Sequence, residues 1–145
     1  MAASAEVFTS NLPTVNSPLE PIVGPPTNAS INGIDFFRDQ TAVGLTPTLR
    51  WAAPTIGTAN AYQVVFCYFE ASSGGGVLRL EFTCIGSIQT TTTAVKVPPG
   101  ILEAGKHYFV TLTAISQPGL DITTAPFKNG FPRATTQAVS GVISP

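Results

Sequence analysis

His107 is the only histidine in the chain, so any serine-histidine-acid arrangement would have to be built around it. No Gly-x-Ser-x-Gly marks a nucleophile, and a histidine becomes a catalytic base through the groups that orient it. His107 therefore reads as a loop residue beside a strand. The acids Asp35, Asp39, Glu70, Glu81, Glu103 and Asp121 fall on different loops and strands, which gives no pair a reason to converge as general acid and base. They also lack the close alternating spacing of a calcium loop. Gly74-Gly75-Gly76 is followed by no Lys-Ser/Thr pair and opens no helix, so it reads as a hairpin turn and not a phosphate loop. Asn28-Ala29-Ser30 fits the glycosylation acceptor pattern, which has meaning only in an exported eukaryotic chain. The expectation from these residues is a chain that is not an enzyme and carries no cofactor and no metal.

Cys67 and Cys84 are the two cysteines, and they allow one bridge at most. Pairing them directly across a hairpin centres the turn on Gly75-Gly76 and brings them within bridging distance. That register puts Arg79 and Glu81 on the inner face beside Phe66 and Tyr68. A shift of one residue instead buries Leu78, Leu80 and Phe82 and sends the cysteines to opposite faces. Three large apolar side chains at about 25 cal/mol per Å² bring several kcal/mol, comparable with the roughly 2–4 kcal/mol of a disulfide. The two demands balance and leave the bridge open, unless a bulge satisfies both.

The elements that would position these groups are strands. Ser30 to Phe37 suits a first strand interrupted at Asn32-Gly33, and Pro47, Leu49 and Trp51 alternate with Thr48 and Arg50. Tyr62 to Phe69 carries Tyr62, Val64, Phe66 and Tyr68 on one face and Gln63, Val65, Cys67 and Phe69 on the other. Val77 to Ile85 returns from the glycine turn as its hairpin partner. Thr90 to Val97 is a β-branched run stopped by Pro98-Pro99-Gly100. Tyr108, Val110, Leu112 and Ala114 then alternate with Phe109, Thr111, Thr113 and Ile115, and Ala134 to Ile143 closes the chain as a weaker strand. Gly100 to His107 carries Gly105 inside it and is too short for a helix. About seven short strands without helical crossovers describe an all-β, seven-stranded antiparallel two-sheet sandwich.

With 145 residues the chain has the length of one domain, and only 10% of it is charged, against roughly 25% in an average soluble domain. The net charge of -1, with basic residues scattered singly, offers no stripe for phosphates, so nucleic acid is not an expected partner. No run of about 18 apolar residues occurs, so membrane insertion is not expected either. From Ser4 to Thr27 no sustained period appears, and Pro13, Pro18, Pro21, Pro25 and Pro26 would each remove a ladder hydrogen bond, so the stretch reads as an extended linker or edge segment; residues 1–16 read as a linker or extended N-terminal segment and residues 17–145 as the single sandwich domain.

Three motifs carry a family likeness over roughly Pro47 to Ile143. They are Pro47-x-Leu49-x-Trp51-x-x-Pro54, Tyr62-x-Val64, and Leu102-x-x-Gly105-x-x-Tyr108-x-Val110-x-Leu112-x-Ala114. The chain resembles a fibronectin type III domain, within the wider immunoglobulin-like group, of the kind found in large bacterial secreted or cell-surface proteins. The resemblance implies that Trp51, Tyr62, Leu102 and Tyr108 are core determinants, with Tyr108 at a tyrosine corner whose hydroxyl ties back to the preceding loop. It departs from immunoglobulin domains in lacking their Cys…Trp…Cys spacing, and it contains no Arg-Gly-Asp.

The resemblance implies a non-catalytic module, acting as a spacer or as a protein- or glycan-binding domain. Its partners would be the other domains of its parent, a protein or a glycan. The location would be secreted or at the cell surface, with the chain, in which no signal peptide is read, expected to be a fragment of its parent. The alternative is a structural or decoration protein of a phage or other assembly. The expected contact surface is the long loop Ser116 to Arg133, where Leu120, Ile122, Phe127 and Phe131 lie near Lys128 and Arg133.

Overall fold

Alternating apolar residues produce strands wherever a second sheet can receive one of their faces. The computed structural model describes residues 3–8, 21–74, 77–126 and 130–145. Among them there are eleven strands and no helix. They are β1 (Ala3–Phe8), β2 (Thr27–Ile31), β3 (Ile34–Asp35), β4 (Gln40–Thr41), β5 (Thr48–Ala52) and β6 (Ala61–Gly74). β7 (Val77–Thr90), β8 (Ala94–Lys96), β9 (Tyr108–Ser116), β10 (Arg133–Val139) and β11 (Ile143–Ser144) complete the set.

The strands form two sheets. One is four-stranded in the order β3-β2-β5-β8. In the other, β9 is central: β10 lies along one side with β1 beyond it, and β6 lies along the other with β7 beyond it. The two residues of β11 sit between the Tyr108 end of β9 and β4, which runs parallel to β11. The buried cluster between the sheets takes Ile31, Leu49, Trp51 and Val95 from the smaller one, and Tyr62, Val64, Phe66, Tyr108, Val110 and Leu112 from the larger. These are the residues that the period-2 pattern places on common faces.

Four strands, β1, β3, β4 and β11, come in addition to the seven expected, and local features set several of the boundaries. Asn32 and Gly33 both take positive φ, 50° and 84°, and fold the first apolar stretch into the tight β2-β3 hairpin. The β-branched run from Thr90 divides, since Thr90 ends β7 and Ala94 begins β8. The Thr92 hydroxyl bonds across that break to Thr90 Oγ1 and the Ala94 carbonyl. The closing stretch also divides, at Ser140 and Gly141. A Cβ on Gly141 would lie 2.5 Å from the Arg38 carbonyl group, so only glycine lets the two backbones approach this closely.

The leader, which reads as an extended linker or edge segment, contributes an edge strand. Ala3–Phe8 is a strand paired antiparallel with β10 along its whole length. No proline falls within residues 3–8, so every amide there can join the ladder. It adds little burial, since Val7 and Phe8 keep 40% and 46% of their surfaces. β1 is an added edge and not a core strand.

Candidate functional site

Tyr62, Val64 and Phe66 point from β6 into the core and are at most 4% exposed. Trp51 meets Tyr62 edge-on with ring centroids 5.3 Å apart, and burial raises the Tyr62 pKa. Leu102 and Tyr108 are buried beside them, and the Glu103 amide donates a 2.9 Å hydrogen bond to the Tyr108 hydroxyl. Next to it the ammonium of Lys106 lies 3.1 Å from Glu103 and 4.4 Å from the centroid of the Tyr68 ring. The hydrogen bond to Glu103 raises the lysine's pKa. This end of the sandwich is built for packing.

β6 and β7 continue beyond that core. Pairing of β6 with β9 ends at Tyr68↔Tyr108, whereas pairing with β7 runs on to Gly74↔Val77. Past Tyr68 the hairpin is a two-stranded ribbon with no third strand beside it among the described residues. The ribbon is amphipathic. On one face the register opposes Glu70 to Glu81 and Ser72 to Arg79, and on the other it opposes Cys67 to Cys84, Phe69 to Phe82 and Ala71 to Leu80. The apolar face continues the outer side of the large sheet, because Cys67 and Phe69 alternate with the buried Phe66. Leu80 is 68% exposed and Phe82 is 64% exposed, the reverse of what their composition alone would suggest.

A disulfide joins Cys67 to Cys84 at the root of this ribbon. The register slips between Phe66↔Gly86 and Cys67↔Cys84, so Ile85 is an extra residue, a β-bulge. Below the bulge Ile88 falls opposite Val64 and packs against the core. Above it the cysteines oppose each other. The bulge thus reconciles the bridge with the burial of Ile88, but it leaves Leu80 and Phe82 outside. The burial that would have favoured the other register does not exist at this level, because Glu70, Ser72, Arg79 and Glu81 on the inward-facing side are themselves exposed.

The outer aromatics form a cluster. Phe109 on β9 lies 5.0 Å from Phe69 and 5.6 Å from Phe82, centroid to centroid. Together with Val139, Val142 and Asp39 they line an open groove of about 450 Å³. The polar contribution to it is small, and no set of three or more metal-ligating side chains occurs among the described residues. The groove presents a mainly apolar surface.

The remaining candidates lie apart. His107 Nδ1 is 2.7 Å from Ser144 Oγ on the exposed end of β11, a contact invisible in sequence because 37 residues separate the two. No carboxylate hydrogen-bonds to His107 among the described residues, so the pair lacks the acid of a triad. In the loop from Ser116 to Arg133, Leu120 and Ile122 are half-buried, Phe131 is 74% exposed and Arg133 is half-buried on β10. Phe127 and Lys128 lie outside the described residues. Phe131 meets Phe8 of β1 at 6.5 Å between centroids. Asp121 accepts hydrogen bonds from the Thr123 and Thr124 side chains, which lower its pKa to about 2 and keep it a carboxylate that ties the turn. The described loop residues are not among those that line the groove of the outer aromatics.

No protein-family model matches the chain, and a search of curated proteins gives no match.

Proposed function

We propose that the chain is a non-catalytic structural and docking module of the fibronectin type III kind, working in an extracellular or envelope protein through the outer face of its long hairpin. The observation that carries this reading is the amphipathic ribbon whose apolar side faces away from its own core. A folded chain gains nothing by exposing Leu80 and Phe82 beside the half-buried Phe69, and such patches mark interaction sites. The fibronectin likeness is supported by three features. One sheet holds β2, β5 and β8 while β10, β9, β6 and β7 lie in the other. Trp51 plugs the space between them, and the Tyr108 hydroxyl ties back to Glu103. The disulfide fits an oxidising compartment. The exposed hairpin carries more apolar surface than the described part of the Ser116–Arg133 loop, which moves the expected contact from the loop to the ribbon.

A binding array tests this reading. The full chain and a Leu80→Ser/Phe82→Ser variant are compared against the domains encoded beside it and against immobilised glycans, with melting temperatures measured in parallel. Binding that is lost in the variant without loss of stability is the expected result. Substrate turnover that disappears in a His107→Ala variant overturns it. A second reading, a structural subunit of a phage or other assembly, is favoured by the fourteen-residue β7, which pairs only with β6 among the described residues.

A further inference from the structure

β7 offers more than an apolar face. Among the described residues it pairs with β6 alone, so the backbone groups on its other side form an open edge, the feature most prone to recruit another strand. Natural edges are blunted with charges, prolines or short length. This one runs for fourteen residues with no proline, and its only charged residues are Arg79 and Glu81, flanking Leu80.

We propose that the β7 edge pairs antiparallel with β7 of a second copy of this chain, about a two-fold axis at Leu80. The proposal rests on reading the ribbon as a docking element. Charge selects both the partner and the register. A two-fold centred on Arg79 would oppose arginine to arginine, and one centred on Glu81 would oppose glutamate to glutamate, each destabilising. Centring on Leu80 places Arg79 of each copy opposite Glu81 of the other, twice over, and keeps the two outer faces on the same side. It also answers a local imbalance, since Glu81 stands opposite Glu70 within its own hairpin and gains a guanidinium neighbour from the second copy. Leu80 then lies beside its own equivalent, and position 82 lies opposite position 78. The two apolar stripes merge into one across the axis. Such a contact is isologous and closed, so it yields a dimer and not a filament.

Pairing of residues 77–83 alone makes a small interface, so the dimer belongs to the weak class and concentrations up to about 1 mM are needed to populate it. Sedimentation equilibrium is measured on the full, oxidised chain, on Arg79→Glu, on Glu81→Arg, and on the double exchange Arg79→Glu/Glu81→Arg. The wild type is expected to dimerise, each single variant to weaken the dimer by about ten-fold or more, and the exchange to restore it. Glu81→Arg removes the opposition to Glu70 inside the hairpin, so a weakened dimer in that variant does not come from a damaged monomer. Amide exchange over residues 79–83 should slow as the dimer forms. A wild type that stays monomeric, a dimer indifferent to the single variants, or an exchange that fails to restore it overturns the proposal. Binding to neighbouring domains or glycans that survives in a monomeric chain shows that the docking reading stands without self-pairing.

Discussion

Two stretches of β6 share one strand and one partner, β7, and meet opposite fates. From Tyr62 to Phe66 the alternate residues Tyr62, Val64 and Phe66 sink between the sheets, where Trp51 and Leu49 meet them from the other side. From Phe69 to Ser72 the strand keeps its pleat and its partner β7, yet its apolar side chains look outward and its inward-facing side is lined by Glu70 and Ser72. The bulge at Ile85 separates the two regimes. Alternation decides which residues share a face. Whether that face becomes core depends on a second sheet standing opposite at the same height, and beyond Tyr68 none does among the described residues.

This contrast can be broken most forcefully at its buried end. Trp51→Ala should cost about 3–5 kcal/mol, because the cavity opens beside Tyr62 within the buried cluster. A variant that melts within a few degrees of the parent would mean that β5 does not face the core. Next in size is the link between the two regimes. Replacing both Cys67 and Cys84 by Ser should cost about 2–4 kcal/mol in denaturant unfolding, through the freedom returned to the unfolded chain. If reduction of the parent leaves its midpoint unchanged, the bridge does not hold the hairpin root.

Smaller again is Tyr108→Phe, which keeps the ring in place and removes the acceptor for the Glu103 amide. A loss of about 1–2 kcal/mol is expected, and no change at all would remove the corner from the list of stabilising features. The smallest effect is expected at the exposed end. Leu80→Ser should shift stability by less than about 0.5 kcal/mol, as befits a surface position. A loss comparable with that of Trp51→Ala would show that the ribbon's outer face is covered by the chain itself.

Much of the near region was legible from residue spacing. The alternation of Pro47, Leu49 and Trp51, and of Tyr108, Val110 and Leu112, identifies buried faces because both ends of each strand lie under the opposing sheet. The hairpin was legible only as a conflict between two registers. Its resolution depends on how far the smaller sheet extends, a long-range property that no local pattern encodes. The partner of β1 is not legible, because β10 lies more than a hundred residues away in sequence. The His107–Ser144 contact is illegible for the same reason. The two opposed cysteines were the one local signal that pointed to the correct distal register.

The Cys67–Cys84 bridge also sets how much chain the protein can release under load. The bond closes a ring across 17 positions whose ends are held 3.8 Å apart. At about 3.5 Å per extended residue, a fully unravelled molecule pulled from its two ends therefore falls short by roughly 55 Å. The hairpin tip never enters the force path, and a reducing environment restores the hidden length in one step. In a tether made of such units, oxidation would shorten the reach of each unit without altering its folded shape.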